Sequence, residues 1–190
     1  MKIVLCSKSP RRKEILNNLG LDFSICSPDC DENSNIASPK RLVCALSHKK
    51  AQAVVKQYKE DTKDVLFIAA DTVVCIKNEI LGKPKDKEDA AKMIKALSGK
   101  CHKVITGITL IYNSKTESCF ESTSVYFRKI SDREIDEYIE TPEAYDKAGG
   151  YAIQGTASRW ISRIKGDYFN VVGLPVYRLC ELAKKLNITL

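Results

Sequence analysis

With 44% hydrophobic and 29% charged residues, this 190-residue chain has an ordinary soluble globular composition, and it could form one core or two lobes. Its net charge of +7, from 31 basic and 24 acidic residues, suits nucleic acid, an anionic surface or a polyphosphate without choosing among them. No segment approaches the roughly 20 apolar residues of a membrane span, and the N-terminal apolar run is too short for a signal peptide. We therefore expect no membrane partner and a cytoplasmic location.

The predicted elements alternate between strands and helices along the chain. Short apolar runs between turn residues predict strands, and apolar positions three and four residues apart predict helices. The strands are predicted at residues 2–6, 22–26, 64–76, 79–84, 103–112, 119–127, 151–154 and 158–164. The helices are predicted at residues 9–20, 38–58, 85–99, 131–140 and 175–186.

Several polar residues mark where these elements begin and turn. Ser9 is a good N-cap before Pro10, and Asp86 is expected to cap the third helix. Ser131 and Glu134 have the spacing of a capping box. Asn78 marks a hairpin between two strands. Together the elements predict a mixed α/β fold, a twisted mixed sheet with flanking helices, and residues 1–190 contain no linker that would divide them into separate domains.

The eight cysteines are scattered, mostly in apolar runs. Without a secretory signal, we expect reduced thiols that pack as small hydrophobic side chains. Cys26 and Cys30 form the closest pair, but no second pair at metal-ligand spacing accompanies them, so the spacing does not indicate a zinc site.

Ser9, Arg11 and Arg12 stand where a predicted strand turns into a helix. The backbone N–H groups of a helix start and the forked donors of arginine both suit phosphate oxygens. Solvated arginines, or arginines paired with surface acids such as Glu14, are the alternative. Taken alone, these residues leave both interpretations open.

Asp71 interrupts the apolar run F-I-A-A-D-T-V-V. Because an isolated buried carboxylate is costly, it should meet a metal or another cation, or emerge at a strand end. The alternative is an acid satisfied by backbone donors at a kink. Asp31 and Glu32, in a polar loop, could add ligands, since Mg²⁺ takes oxygen ligands and needs few from protein when phosphates are present.

Three further positions could contact a ligand. Lys83, between a glycine turn and a proline, could be a fixed charge for phosphate, although most lysines are solvated. One of His48, Lys49 and Lys50 should turn inward, and periodicity does not say which. Gln154 lies among apolar residues between glycines, and a buried amide there would need partners for its donor and its acceptor. A nucleobase edge or a neighbouring backbone offers both.

The histidines and glycines exclude some classes of enzyme. Neither His48 nor His102 forms a recognisable triad with a serine or cysteine, and His102 is interpreted as structural. The glycines do not form a G-x-x-x-x-G-K-[ST] loop or a G-x-G-x-x-G fingerprint, which excludes a P-loop NTPase and a Rossmann dehydrogenase.

The chain resembles the Maf family of nucleoside triphosphate pyrophosphatases in a series of blocks that occur in the family's order. These blocks are S-K-S-P-R-R-K-E-I-L, D-E at 31–32, A-A-D-T-V-V, L-G-K-P, A-L-S-G-K-C-H-K-V-I-T-G, D-K-A-G-G-Y-A-I-Q-G and I-K-G-D-Y-F-N-V-V-G-L-P. They span essentially the whole chain, which makes the match far more specific than any one block. The resemblance implies a fold similar to that of the inosine triphosphate pyrophosphatases, with two lobes around a cleft.

The resemblance also implies the reaction, which is hydrolysis of a nucleoside triphosphate to the monophosphate and pyrophosphate. A divalent cation would be the cofactor, Mg²⁺ first and Mn²⁺ as the alternative. Asp71 would be the catalytic proton acceptor, and Glu32 and Asp71 would be the metal ligands. The implied phosphate-binding residues are Ser9, Arg11, Arg12, Lys50 and Lys83.

Three positions separate the family's subgroups. Arg11, Thr72 and Gln154 match the members that act on dTTP and UTP, and members that act on 7-methyl-GTP differ at these positions. Gln154 could donate to O4 and accept from N3–H of uracil or thymine, although a flipped amide would also suit cytosine. The segment A-S-R-W-I-S-R-I departs from the family, because arginines and a tryptophan stand where small or apolar residues are commoner.

The expected function is therefore a dTTP and UTP pyrophosphatase that also takes modified pyrimidine triphosphates and serves nucleotide-pool housekeeping. One alternative is a non-catalytic nucleotide- or nucleic-acid-binding regulator of cell division and septum formation, and another is a pyrophosphatase for 7-methyl-GTP. The expected partner is a small-molecule nucleotide, and the resemblance makes a homodimer plausible. Nucleic acid is not expected, because the chain has no basic tail, aromatic stacking motif or reader module.

Overall fold

The computed structural model describes residues 1–77 and 79–190, which form a mixed sheet and flanking helices. The strands are β1 (Lys2–Leu5), β2 (Ser24–Ile25), β3 (Val65–Ile76), β4 (Glu79–Leu81), β5 (Cys101–Tyr112), β6 (Lys115–Phe127) and β7 (Ile161–Lys165). The helices are α1 (Pro10–Asn18), α2 (Pro39–Gln57), α3 (Lys87–Leu97), α4 (Asp132–Ile139), α5 (Tyr168–Val172) and α6 (Val176–Lys185). Short 3₁₀ helices lie at Pro142–Ala144, Ala148–Gly150 and Thr156–Trp160.

The described strands form one seven-stranded sheet in the order β2-β1-β3-β5-β6-β7, and β4 pairs with β3. β1 is parallel to both β2 and β3, whereas β4 is antiparallel to β3 and β7 is antiparallel to β6. The predicted mixed α/β fold with flanking helices is confirmed. None of the described helices has the length and hydropathy needed to cross a bilayer.

Local sequence signals account for most helix starts. The Asp86 carboxylate accepts from the backbone N–H of Asp89 at 2.8 Å, and Ser131 and Glu134 form the reciprocal bonds of a capping box. Ser9 occupies the N-cap of α1 with Pro10 at the first helical position, but its side chain makes no capping bond. The backbone N–H of Ser9 instead donates to the Ser7 hydroxyl at 3.2 Å.

Two predicted elements differ in the structure. Residues 151–154, predicted as a strand, are not one: Tyr151 is extended, but Ile153 and Gln154 form a turn. Of the strand predicted at 158–164, only the part from Ile161 onward is extended. Gly149 and Gly150, at φ 71° and 73°, turn the chain just before this segment. The backbone N–H groups that follow donate to a side chain rather than to a strand, as described below. The hairpin position predicted at Asn78 lies outside the described residues.

The chain divides into two compact units. The first comprises Met1–Asp71, Thr106–Glu121 and Gly173–Leu190, and the second comprises Thr72–Ile105 and Ser122–Val172. β3, β5 and β6 each contribute residues to both units, because the divisions fall inside these strands. That residues 1–190 behave as a single domain stays a prediction.

In the first unit, α2 packs closely on β5. A Cβ atom added at Gly107 of β5 would lie 2.3 Å from the carbonyl oxygen of Val43 and 2.7 Å from the backbone nitrogen of Cys44. Only a residue without a side chain therefore lets the two backbones approach this closely. The approach fixes α2, whose inner face also buries Lys50.

In the second unit, His102 lies in an aromatic core. Its ring contacts Phe127 and Tyr151 edge-on at centroid distances of 4.9 and 5.3 Å, and its Nε2 lies 2.6 Å from the Tyr151 hydroxyl. His102 is 2% exposed, and no described group hydrogen-bonds to its Nδ1. These contacts agree with the structural role read from the sequence.

Burial lowers the pKa of His102 from 6.5 to about 4. Between these values the unfolded chain binds a proton that the folded chain does not, so stability should fall as the pH drops from 6.5 to 4. Because one pKa unit corresponds to about 1.4 kcal/mol, this residue should account for about 3 kcal/mol of that loss. Urea unfolding of the wild type and of His102→Gln at several pH values in this window measures it as the difference in slope. His48→Gln should retain the wild-type slope, and an equally steep dependence in His102→Gln would contradict the prediction.

Candidate active site

The centre of the candidate site is an ion pair between α2 and β3. Lys50 Nζ lies 2.6 Å from Asp71 Oδ1, and the two residues are only 8% and 7% exposed. Among the three candidates of α2, Lys50 is the residue that turns inward, whereas Lys49 is exposed and His48 is half-buried. The cation expected beside the Asp71 carboxylate is thus supplied, in this structure, by a lysine of the same unit.

Glu32 brings a second carboxylate to the same ammonium. Its Oε2 lies 2.8 Å from Lys50 Nζ, although its own side chain is 56% exposed. One buried ammonium therefore joins an acid on a strand to an acid on a surface loop. Asp31, the neighbouring acid, instead accepts from the backbone N–H of Asn33 at 2.9 Å within its own loop.

Arg12 is held by two groups of its own unit. Its Nε donates to the carbonyl oxygen of Gly173 at 2.8 Å, and its Nη1 donates to the Ser7 hydroxyl at 3.1 Å. Burial lowers the pKa of the Arg12 guanidinium, and the negative charges of Asp71 and Glu32 oppose that shift. The guanidinium therefore lies within electrostatic range of both carboxylates.

The start of α1 adds Ser9 and Arg11 to this region. Both side chains are half-buried, Ser9 at the N-cap and Arg11 in the first turn. The first N–H groups of a helix and the positive end of its dipole favour an anion there, and the two adjacent arginines add charge of the same sign. The first unit therefore places most of the predicted phosphate-binding residues on two helix segments.

The remaining predicted site residues belong to the second unit. Thr72 follows Asp71 in β3 and is half-buried. Lys83 is exposed, on a loop where the Gly82 carbonyl accepts from the backbone N–H of Gly149 at 2.9 Å. Gln154 is exposed and lies in a turn rather than in the predicted strand, so its amide does not need buried partners.

Glu32 and Asp71 suit a divalent cation by the chemistry of their donors. Mg²⁺ is typically bound through one or two carboxylates and completes its shell with water and substrate phosphates. Within the described residues, no group of three or more His, Cys, Asp and Glu side chains is arranged to hold a metal ion.

Sequence reasoning missed Ser7 and the carbonyl of Gly173. Ser7 is buried and lies two residues before the expected N-cap, where a hydroxyl has no obvious role. Gly173 has a φ of 120°, a conformation that favours glycine, and it lies in the N-V-V-G-L-P block that was noted without a role. The only sequence signal for this carbonyl was a glycine placed between an apolar run and the dipeptide Leu-Pro.

Comparison with known proteins identifies the family. The model of the family described as Maf-like protein matches residues 2–186, so the chain belongs to this family. A protein of Thermoanaerobacter sp. (strain X514) named dTTP/UTP pyrophosphatase is 49% identical over 187 residues, covering 97% of this chain and 96% of that protein. A protein of Pyrococcus abyssi (strain GE5 / Orsay) with the same name is 46% identical over 182 residues, covering 96% and 95%.

Solved structures align less closely. A nucleoside-triphosphatase / dITP/XTP pyrophosphatase from Mycobacterium abscessus aligns with a TM-score of 0.41 and 12% identity, covering 68% of this chain and 74% of that chain. The Ham1 protein of Staphylococcus aureus aligns with a TM-score of 0.42 and 15% identity, covering 67% and 72%. The family membership predicted from the sequence blocks is confirmed by the family model and the close relatives.

Breaking the Lys50–Asp71 pair from either side should destabilise the protein. Lys50→Met leaves the buried Asp71 carboxylate without its ammonium, at a cost of about 3 kcal/mol. Asp71→Asn should cost less, because Glu32 still pairs with the Lys50 ammonium. The double variant removes both charges and should cost clearly less than the sum of the two. Urea unfolding of the four proteins measures the coupling, with the exposed Lys49→Met as the matched control. Additive losses would show that the two side chains do not stabilise each other.

Proposed function

We propose that this chain is a nucleoside triphosphate pyrophosphatase that hydrolyses dTTP and UTP to the nucleoside monophosphate and pyrophosphate. The observation that carries the proposal is the buried Lys50–Asp71 pair, whose carboxylate acts electrostatically on Arg12, in a chain 49% identical to a protein named dTTP/UTP pyrophosphatase. This combination favours turnover over binding alone, since a carboxylate repels phosphates and is out of place in a simple phosphate-binding site.

The cations of the site suit a polyphosphate. A nucleoside triphosphate carries roughly four negative charges, and fixed cations stabilise the charge that moves during phosphoryl transfer. Arg12 is the best fixed of them, because Ser7 and Gly173 hold its guanidinium in place. Ser9, Arg11, Lys50 and Lys83 are proposed to bind the phosphates with it.

Asp71 is proposed to accept the proton of the attacking water. The water oxygen forms a bond to the α-phosphorus, the bond from this phosphorus to the oxygen bridging to the β-phosphorus breaks, and pyrophosphate leaves. Lys50 holds the Asp71 carboxylate in one orientation for this transfer. Glu32 and Asp71 would hold the divalent cation, for which we propose Mg²⁺ with Mn²⁺ as the alternative. When bound, such a cation neutralises phosphate charge and lowers the pKa of a coordinated water.

Arg11, Thr72 and Gln154 are proposed to select the base, as the family resemblance implies. The Gln154 amide can donate to O4 and accept from N3–H of uracil or thymine. Because a flipped amide also suits cytosine, this selection requires the amide to be held in one orientation. A homodimer and a cytoplasmic location are proposed on the same resemblance, and light scattering during size-exclusion chromatography tests the former.

A pyrophosphate-release assay with Mg²⁺ tests the function, with dTTP, UTP, CTP, dATP, GTP and 7-methyl-GTP compared side by side. We expect turnover concentrated on dTTP and UTP, with the monophosphate and pyrophosphate as products. Preferred hydrolysis of 7-methyl-GTP would contradict the assignment of the base. Nucleotide binding without any turnover would instead favour a regulator of cell division.

Asp71→Asn should abolish turnover while leaving nucleotide binding largely intact. The amide cannot accept the proton of the water, so kcat should fall by a factor of about 10² to 10⁴. Binding of a non-hydrolysable UTP analogue, measured by calorimetry in the presence of Mg²⁺, should change far less. The control is Asp61→Asn, an exposed acid that accepts from the backbone N–H of Lys63 at 2.9 Å. An unchanged kcat in Asp71→Asn would remove this residue from the mechanism.

A further inference from the structure

We propose that Glu143 is a positioning residue for base selection, because its carboxylate holds the loop that carries Gln154. This inference rests on the proposed function, since it assumes that Gln154 contacts the base. Glu143 lies in the 3₁₀ helix Pro142–Ala144 and, like Gln154, belongs to the second unit. No role followed for it from the sequence blocks.

The Glu143 carboxylate binds the backbone just after Gln154. Its Oε2 accepts from the N–H of Thr156 at 2.8 Å, and its Oε1 accepts from the N–H of Ala157 at 3.4 Å. These N–H groups open the 3₁₀ helix Thr156–Trp160, where a negative charge is favourable. The side chain therefore satisfies two backbone donors that follow Gln154.

Gly155 allows this contact. A Cβ atom at this position would lie 2.1 Å from Glu143 Oε1 and 2.6 Å from Oε2, far inside van der Waals contact. Gly155 has a φ of −112°, which other residues also adopt, so the requirement is for space rather than for backbone freedom. The glycine that follows Gln154 is thus explained by the carboxylate it faces.

Glu143 is itself fixed in position. The hydroxyl of Tyr138 donates to Oε1 at 3.1 Å, and Lys147 Nζ donates to the backbone carbonyl of Glu143 at 3.0 Å. Tyr138 is 1% exposed and packs edge-on against Trp160 with a centroid distance of 4.7 Å. The carboxylate is therefore anchored to the core of the second unit.

A second anchor holds the other end of the Gln154 loop. The Tyr151 hydroxyl lies 2.6 Å from His102 Nε2 in the aromatic core. Gln154 thus lies between two attachment points, the buried Tyr151 on one side and the exposed, Glu143-bound Thr156 on the other. The Gln154 side chain is exposed, whereas the backbone on either side of it is held in place. This arrangement suits ligand recognition, because the amide reaches solvent from a Cα atom whose position is constrained.

The effect of this loop on base selectivity depends on the shape of the Gln154 amide. Its oxygen and nitrogen differ little in size, so only their placement decides whether the amide matches uracil and thymine or matches cytosine. A loop released at Thr156 lets the backbone of Gln154 move relative to the base edge, and small misplacements are known to cost large factors in rate. Loss of Glu143 should therefore reduce discrimination rather than remove the chemistry.

The test is the ratio of kcat/KM for UTP to kcat/KM for CTP, measured in the wild type and in a set of variants. In Glu143→Ala we expect this ratio to fall by about tenfold, mainly through a higher KM for UTP, as in Gln154→Ala. If Glu143 acts through Gln154, the double variant should have the ratio of Gln154→Ala alone. Glu143→Gln keeps one carbonyl acceptor and should retain part of the preference.

The matched control is Glu140→Gln, because Glu140 is exposed and its side chain pairs with Lys87 on the surface. Gly155→Ala offers an independent route, since its Cβ should displace the carboxylate and lower the same ratio. In the Glu143→Ala variant, adding Gly155→Ala should lower the ratio little further, because the carboxylate that the new Cβ would displace is absent. If Glu143→Ala does not fold, Glu143→Gln and Gly155→Ala carry the same test.

The outcomes separate this inference from the proposed function. A purely structural role would lower the activity on both nucleotides equally, and an unchanged ratio in Glu143→Ala would overturn the inference alone. Additive effects of Glu143→Ala and Gln154→Ala on the ratio would also overturn it. A wild-type chain without preference for UTP would overturn the proposed function and, with it, the inference.

Discussion

The site depends on one electrostatic constraint, the burial of the Asp71 carboxylate in the middle of β3. A charge at that depth is tolerated only beside an opposite charge, and α2 supplies it as the ammonium of Lys50. The helix can deliver the ammonium because it packs backbone to backbone on β5, where Gly107 has no side chain. The site therefore requires the close packing of α2 on β5 at Gly107.

The same constraint accounts for Arg12 in the first turn of α1. Cations are unfavourable next to the positive end of a helix dipole unless negative groups offset them. The charges of Asp71 and Glu32 act on Arg12, and the carbonyl of Gly173 accepts from its guanidinium. The site therefore alternates acidic and basic groups. A substrate with several phosphates, accompanied by a cation, can match such an alternation better than a simple anion can.

The sequence was informative where the signals were local. The apolar neighbours of Asp71 marked it as an unusual acid, and the spacing of Ser131 and Glu134 predicted a capping box that the structure confirms. The choice among His48, Lys49 and Lys50 was beyond periodicity, because the three residues point in directions about 100° apart and only the packing of α2 decides which direction faces the core. That choice required the structure.

The turn at 151–154 was mispredicted for a different physical reason. Its composition favours a strand, but the backbone just after it, at Thr156 and Ala157, donates to Glu143, a side chain more than ten residues away in the sequence. No local pattern records such a partner. The turn also places Gln154 at the surface, where a strand would have placed it in the sheet.

The ion-pair residues and the base-selecting residue are consequently held in position by different kinds of contact. Asp71 and Lys50 lie on regular elements whose positions the core determines, which suits groups that must keep one geometry during a reaction. Gln154 lies on a turn whose position depends on a few hydrogen bonds to Glu143 and on the attachment of Tyr151. Substitutions in such a turn can change which base is accepted without disturbing the ion pair, because the two sets share no described contact partner. Base preference should therefore be the property of this chain that changes most readily, and the hydrolytic chemistry the one that changes least.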